Sequence, residues 1–242
     1  MTAYYDGIAK QYQKLDLPAR HVNAYTHLNL IGNVAGQSIL DLACGTGYYT
    51  RMFKPSAKYV VGVDISEKMI EIARQEEARE PLGIEYLVCD VAELGKIGDF
   101  DLVVAAFLLH YAQTKEQLLE MCRNISVNLK TGGRFVTING NLEMPPELYP
   151  KLQKYGATRS VSEPLREGTP ITLTFTVKGE RFSFDNYYLS KATYEWAFRQ
   201  AGFKEVHWRE PMVSPEGLQK FGQAFWQDAL DYSCNWFIEC LK

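Results

Sequence analysis

Cysteine is scarce in this sequence, with five residues among 242. Cys44, Cys89, Cys122, Cys234 and Cys240 are odd in number, widely spread and never in a Cys-x-x-Cys pair. Neither a disulfide framework nor a zinc knuckle is expected, and no metal site is assigned. No apolar run approaches the ~20 residues that cross a bilayer. The opening Met1-Thr2-Ala3-Tyr4-Tyr5-Asp6 has no basic segment leading into an apolar one. The expectation is a soluble, cytoplasmic protein with no membrane partner. Runs of Lys or Arg are also missing, and 26 basic against 29 acidic residues leave a formal charge of −3. A nucleic-acid binder concentrates positive charge on one face, so no nucleic-acid partner is expected. Composition shows no low-complexity bias: 46% of residues are hydrophobic and 23% charged, ordinary globular usage. A chain of this length buries a core without a covalent or metal staple, and one domain over residues 1–242 is the expectation.

Aromatic residues are plentiful, 13% of the chain with 15 Tyr, 12 Phe and 4 Trp, many in the second half. Most of them serve as core, and some are expected to line a pocket for a flat organic molecule.

The first half alternates short β-rich runs with helical patterns. Strands are read at residues 38–43, 59–63, 84–88, 100–105 and 134–138. Ser66 caps a helix over Glu67 to Arg79, and Thr114 caps a second whose apolar stripe runs from Leu118 to Leu129, closed by Lys130-Thr131-Gly132-Gly133. Two helices precede the first strand, around Tyr5 to Lys14 and Ala19 to Ile31. Such alternation implies parallel strands joined by right-handed crossovers, hence an α/β, doubly wound sheet. After Ile138 the alternation stops. A hairpin is read at residues 171–177 and 181–189, a helix at Lys191 to Gln200, a strand at Lys204 to Arg209, helix over most of Pro215 to Tyr232, and an edge or antiparallel strand at Asn235 to Leu241.

The most informative segment is Asp41-Leu42-Ala43-Cys44-Gly45-Thr46-Gly47-Tyr48-Tyr49-Thr50. It leaves a strand through glycines and enters a helix, so backbone can approach a ligand at the carboxyl edge of the sheet. Gly-x-Gly alone is weak, since a tight turn with no ligand explains it equally well. Three further features point to a ligand. Asp64 ends the second strand, where a carboxylate can accept both hydroxyls of a ribose. Thr50 stands where a dinucleotide fingerprint wants a third Gly or Ala. Asp41 precedes the turn, and a carboxylate aimed into the site would repel a diphosphate but suit an ammonium and a sulfonium.

Asp41-x-Ala43-x-Gly45-x-Gly47, Gly62-Val63-Asp64-Ile65-Ser66-x-x-Met69, Cys89-Asp90-Val91, Phe100-Asp101-Leu102-Val103 and Leu129-Lys130-x-Gly132-Gly133 resemble, as an ordered set, the motifs of class I S-adenosylmethionine-dependent methyltransferases. The resemblance covers about residues 1–140. It implies a Rossmann-like seven-stranded sheet, mostly parallel with one antiparallel strand. It also implies S-adenosylmethionine as cofactor, with S-adenosylhomocysteine as product. By position, Asp41, Ala43, Gly45 and Gly47 would hold the methionine part, Asp64 the ribose, and Ile65 and Met69 the adenine faces. Asp90 and the Val91 amide would meet the adenine edge, and Ala106 completes the cofactor set. The opening Tyr5-Asp6-Gly7-Ile8-Ala9-x-x-Tyr12 is similar to the first helix of small-molecule members, making Tyr5 and Tyr12 candidates to cover the cofactor; plain packing of this helix is the alternative.

The Asn/Asp-Pro-Pro-aromatic motif of nucleic-acid amino-methyltransferases is missing after the fourth strand, where the chain reads Ala105-Ala106-Phe107-Leu108-Leu109-His110-Tyr111. In small-molecule members the acceptor is covered by an insertion after the fifth strand, and residues 140–190 fit that role. Phe107, Tyr111, Asn139, Tyr155, Tyr187 and Trp226 are the substrate candidates, with stabilisation of its own turn the alternative for Asn139. His110 is the candidate general base, against a role in orienting substrate or satisfying a helix start. More narrowly, Tyr5-Asp6-x-Ile8, Asp41-Leu42-Ala43-Cys44-Gly45, Val61 to Glu71, Phe182-Ser183-Phe184 and Ala201-Gly202-Phe203 with Trp208 resemble toxoflavin-biosynthesis-type N-methyltransferases, which methylate an azapteridine ring. A small planar heteroaromatic methylated at nitrogen is therefore expected, by a monomer or homodimer. An oxygen or carbon of a phenol or quinone is the alternative acceptor, and a non-catalytic cofactor-binding protein a third reading.

Overall fold

The computed structural model describes residues 17–177 and 180–242. The helix expected around Tyr5 to Lys14, with Tyr5 and Tyr12, and the hairpin turn at Lys178-Gly179 lie outside the described residues.

Helix α1 (Arg20–Ile31) precedes β1 (Ser38–Leu42), whose Ile39, Leu40 and Leu42 are fully buried. The glycine turn leads into α2 (Tyr48–Phe53) and then β2 (Tyr59–Asp64). Helix α3 (Glu67–Arg79) starts where the Ser66 hydroxyl accepts the Met69 N–H at 3.2 Å, and it buries Met69, Ile70 and Ala73 at the spacing the sequence predicts. Strands β3 (Glu85–Val88) and β4 (Phe100–Ala106) follow, then α4 (Lys115–Val127), capped by Thr114 as expected. Helix α4 ends at Asn128. The Leu129–Gly133 stretch does not close it but already belongs to β5 (Leu129–Gly140), where a register shift against Phe100 and Leu102 absorbs the glycines.

The main sheet has the order β3-β2-β1-β4-β5-β10-β9, with β9 (Glu205–Arg209) after helix α5 (Lys191–Gln200) and β10 (Asn235–Leu241) at the end. Strand β10 runs antiparallel to both neighbours and lies inside the sheet, so the edge is β9. The doubly wound, mostly parallel architecture with one antiparallel strand is as expected. Strand order reverses between β1 and β4, and the carboxyl ends of β1, β2, β4 and β5 share one rim. Open α/β sheets bind ligands at that reversal.

The insertion does more than the hairpin reading foresaw. Strands β6 (Ala157–Ser160), β7 (Pro170–Val177) and β8 (Glu180–Tyr187) form a separate antiparallel sheet. The hairpin is there, β6 is an added strand, and neither extends the main sheet. Helices α6 (Pro215–Phe221) and α7 (Gln223–Tyr232) break at Gly222. The insertion, α1 and α7 share a hydrophobic cluster of their own around Leu152, Tyr155, Ile171 and Trp226. No helix of the described residues is long and apolar enough to cross a membrane.

One loop is held by buried amides. Asn128 is fully buried; its Oδ1 accepts the Ile97 and Gly98 N–H groups at 2.8 and 3.2 Å, while Nδ2 donates to the Gly95 and Asn124 carbonyls at 2.7 and 2.8 Å. Every hydrogen-bonding position of the amide is used. Asn128→Ala strands those backbone groups and should cost about 2–3 kcal/mol, lowering the thermal midpoint by roughly 5–10 °C in a calorimetric melt.

Candidate active site

The glycine turn is shaped by backbone that ordinary side chains avoid. Gly45 and Gly47 have φ of 56° and 83°, and Ala43 adopts φ 54° without glycine's freedom. A Cβ on Gly47 would strike the Tyr86 hydroxyl, and one on Gly62 would lie 2.8 Å from the same ring, so both glycines are needed for Tyr86 to underlie the turn. Asp64 then fastens the turn from the next strand: Oδ2 accepts the Gly45 N–H at 2.8 Å, and Oδ1 accepts the Ser66 N–H at 2.9 Å.

These elements open a crevice along the rim. Ala43, Gly45, Asp64, Ile65, Met69, Asp90, Val91 and Ala106 of the expected cofactor set line it, and so do Phe107 and Tyr111 of the expected substrate set. Cys89, Leu108 and Met121 line it as well and were not singled out; Cys89 precedes Asp90 in its motif, whereas Met121 comes from α4 and carries no local signal. Asp90 caps a single helical turn, its Oδ1 accepting the Ala92 N–H at 2.9 Å.

Asp41 and Gly47 do not line the crevice. Asp41 is 2% exposed, and its Oδ2 accepts the Thr50 hydroxyl at 2.6 Å. Burial pushes its pKa to about 7; the Thr50 hydroxyl pulls the other way, and the Asp64 charge adds to the rise. The carboxylate is thus not aimed into the site. It ties β1 to α2, and Thr50 is there as its donor. The acids that face the crevice are Asp64 and Asp90.

The expected substrate aromatics divide. Phe107 has φ 63° and donates its N–H to the Ile138 carbonyl at 2.7 Å, a strained conformation for a bulky residue. Its ring stacks on His110 at 5.9 Å, and His110 meets Tyr111 edge-on at 4.8 Å. The inserted sheet reaches this wall through Phe184, 6.2 Å from the Tyr111 ring, part of a stack with Phe175 and Phe182. Tyr155 and Trp226 are core: their rings stack at 5.6 Å, Trp226 Nε1 donates to the Gly217 carbonyl, and the Tyr155 hydroxyl donates to the Phe225 carbonyl. Tyr187 pairs across from Pro170 and is not among the lining residues. Asn139 is fully buried, its Oδ1 accepting the Leu109 N–H at 2.8 Å and its Nδ2 bonding the Thr137 hydroxyl, so it shapes the turn after β4 instead of touching a substrate.

His110 is not placed as a base. It is 2% exposed, and Nδ1 accepts the Gly140 N–H at 3.0 Å, which leaves the ring proton on Nε2. Burial and then the Arg159 charge lower its pKa to about 3, against a smaller opposing pull from the Phe107 backbone. At neutral pH the ring presents a donor.

Residues 39–133 match the methyltransferase domain family. The chain is 28% identical to N-demethylindolmycin N-methyltransferase of Streptomyces griseus, over 76% of this chain and 77% of that protein. It is 30% identical to ubiquinone biosynthesis O-methyltransferase of Coxiella burnetii over 45% of this chain, spanning under half, 46%, of that protein's length. The fold is similar to an S-adenosylmethionine-dependent methyltransferase from Mesorhizobium loti, with TM-score 0.64 at 23% identity, covering 90% of this chain and 96% of that one.

His27 is also buried, and burial lowers its pKa to about 3. With both folded values below the ordinary 6.5, the unfolded chain binds two more protons than the folded one between pH 6.5 and 3, so stability falls as pH drops through that window. Asp41, whose folded pKa is raised, acts in the opposite sense between about pH 4 and 7. The net expectation is a lower urea midpoint at pH 5 than at pH 7, and a shallower decline in the His27→Gln/His110→Gln variant.

Proposed function

We propose that this S-adenosylmethionine-dependent methyltransferase transfers its methyl group to a ring nitrogen of a small planar heteroaromatic metabolite, of the azapteridine kind. The observation that carries this reading is the junction of two walls in one crevice. Asp64, Asp90, Ile65 and Met69, read as the donor's contacts, line it together with Phe107 and Tyr111, the latter backed by Phe184. Similarity to N-demethylindolmycin N-methyltransferase over three quarters of both chains supports nitrogen as the acceptor atom.

The lining suits the cofactor. Carboxylates facing a narrow rim repel a diphosphate and favour a ligand with positive charge and neutral hydroxyls. In this reading Asp64 takes the ribose hydroxyls, Asp90 and the Val91 amide the adenine edge, Ile65 and Met69 the adenine faces, and Ala43, Gly45 and Ala106 the methionine end. Asp41 acts through Thr50 and the turn geometry, and Gly47 through the space it leaves for Tyr86. Bound S-adenosylmethionine supplies a methyl carbon already activated by its sulfonium.

The protein's remaining task is to exclude water and hold a flat nucleophile in line, and such positioning supplies ~7–11 kcal/mol in favourable cases. Phe107 and Tyr111 do this by stacking. A pyridine-type ring nitrogen, which carries no proton, keeps its lone pair at neutral pH and bonds the methyl carbon as the carbon–sulfur bond breaks, so transfer to it releases no proton and needs no basic side chain, in keeping with a His110 whose Nδ1 is occupied.

Calorimetry should show S-adenosylhomocysteine binding and no heat with NAD. Asp64→Ala should weaken that binding by ~1.5–3 kcal/mol, about 10–100-fold; unchanged affinity would remove Asp64 from the ribose site. Isotope-edited NMR of the product should place the transferred methyl on nitrogen, and a methyl on oxygen or carbon would turn the reading towards a phenolic or quinone acceptor. His110→Gln is expected to leave the shape of the kcat profile between pH 5 and 8 unbent, whereas loss of an acid limb would restore the base.

A further inference from the structure

Beside the aromatic wall lies a group of hydrogen-bond donors with no carboxylate to receive them. Arg159, on β6 of the inserted sheet, donates through Nη1 to the Asn141 carbonyl at 2.6 Å and through Nη2 to the Cys234 carbonyl at 2.8 Å. Those two bonds leave the guanidinium charge and three of its five N–H donors uncommitted. No ion pair involves Arg159 among the described residues. The groups that act on it electrostatically are Cys234 and Tyr149, neither a carboxylate. It is only partly accessible, and its position deep in the fold disfavours its charge.

Two buried donors accompany it. The Tyr149 ring lies 6.0 Å from the guanidinium carbon; this residue is 4% exposed and its hydroxyl has no hydrogen-bond partner. His110 Nε2, which carries the ring proton, is buried and makes no well-formed hydrogen bond; the Phe107 backbone exerts only a weak pull on the ring. Gly140 joins the set spatially, because a Cβ there would sit 3.4 Å from His110 Nδ1 and 3.5 Å from Arg159 Nη2. The His110 ring in turn stacks on Phe107, which lines the crevice. Buried donors of this kind are costly unless an acceptor arrives.

We propose that Arg159, with the Tyr149 hydroxyl and His110 Nε2–H, recognises a carboxylate on the acceptor, so that the metabolite methylated is a planar heteroaromatic acid. The planar guanidinium matches a carboxylate in geometry as well as charge. Gly140, lacking a side chain, lets the His110 ring and the Arg159 guanidinium approach the same stretch of backbone. Tyr149 and His110 add neutral donors that select an oxyanion over an amide.

This inference rests on the methyltransferase reading of the crevice, and the test separates the two. Protein saturated with S-adenosylhomocysteine is titrated with matched pairs: indole-3-carboxylate and its carboxamide, quinoline-4-carboxylate and its carboxamide, pterin-6-carboxylate and its carboxamide. The expected result is a preference of roughly tenfold or more for the acid in at least one pair. Arg159→Gln should bring that ratio to near one, and Arg159→Lys should restore part of it, with S-adenosylhomocysteine affinity held in both. A wild-type protein that binds S-adenosylhomocysteine yet favours no acid, or binds none of the probes, overturns the proposal and leaves the function standing. A preference that survives in Arg159→Gln overturns it too. Arg159→Lys guards against a Gln variant that fails to fold, because it keeps a donor for the two carbonyls. Failure of the wild type to bind S-adenosylhomocysteine at all is the separate result that overturns the function.

Discussion

The rim of the sheet depends on one carboxylate. Asp64 ends β2, and its two oxygens receive the backbone N–H of Gly45 and of Ser66. One bond fixes the turn that leaves β1; the other fixes the entry to α3. They add to the backbone bonds from Cys44 N–H to the Val63 carbonyl and from Cys89 N–H to the Asp64 carbonyl, both 3.0 Å, that join the same strand ends. Ser66 passes the order on, because its hydroxyl accepts the Met69 N–H and sets the first turn of the helix whose Ile70 and Ala73 are fully buried. Charge-assisted bonds of this kind are stronger than neutral ones, and here they are shielded from water by an 8%-exposed side chain.

Much of this was legible in the sequence because it is local. The caps Ser66 and Thr114 each accept the N–H three residues on, and the helices after them, Glu67–Arg79 and Lys115–Val127, follow from capping chemistry and apolar spacing; Ser190 caps Lys191–Gln200 in the same way, a cap the sequence reading did not name. Strands buried on both faces announce themselves by unbroken apolar runs. What the sequence hid is set by partners far along the chain. Trp226 and Tyr155 look like pocket aromatics until their stacking and their backbone partners are seen, and nothing local says that residues seventy positions apart will meet. Asp41 looks like a ligand for a cation, yet Thr50 nine residues on takes its oxygen and the fold buries both. Strand β6 is four residues long and is defined by its pairing with β7, so no periodicity could declare it.

Strain gathers where the crevice is. Among the described residues, three without glycine's freedom hold positive φ, and two of them, Ala43 and Phe107, line the crevice from opposite sides of the strand-order reversal. Phe107 also gives its N–H to Ile138, so its ring is carried forward from β4 while its backbone stays tied to β5. Backbone held in this way persists only if its surroundings over-determine it. Here those surroundings are the buried Asn139, which takes the Leu109 N–H, and the Gly140 N–H on His110.

Among the described residues the apolar side chains form four clusters, of which two, of unequal reach, contribute residues to the crevice. The larger one fills the space between the main sheet and helices α4 and α5; the other joins the insertion to α1 and α7 and meets the sheet mainly through Ile138 and Phe237. A cluster built mostly from side chains outside the sheet is where local opening of a fold begins, ahead of central strands paired on both sides.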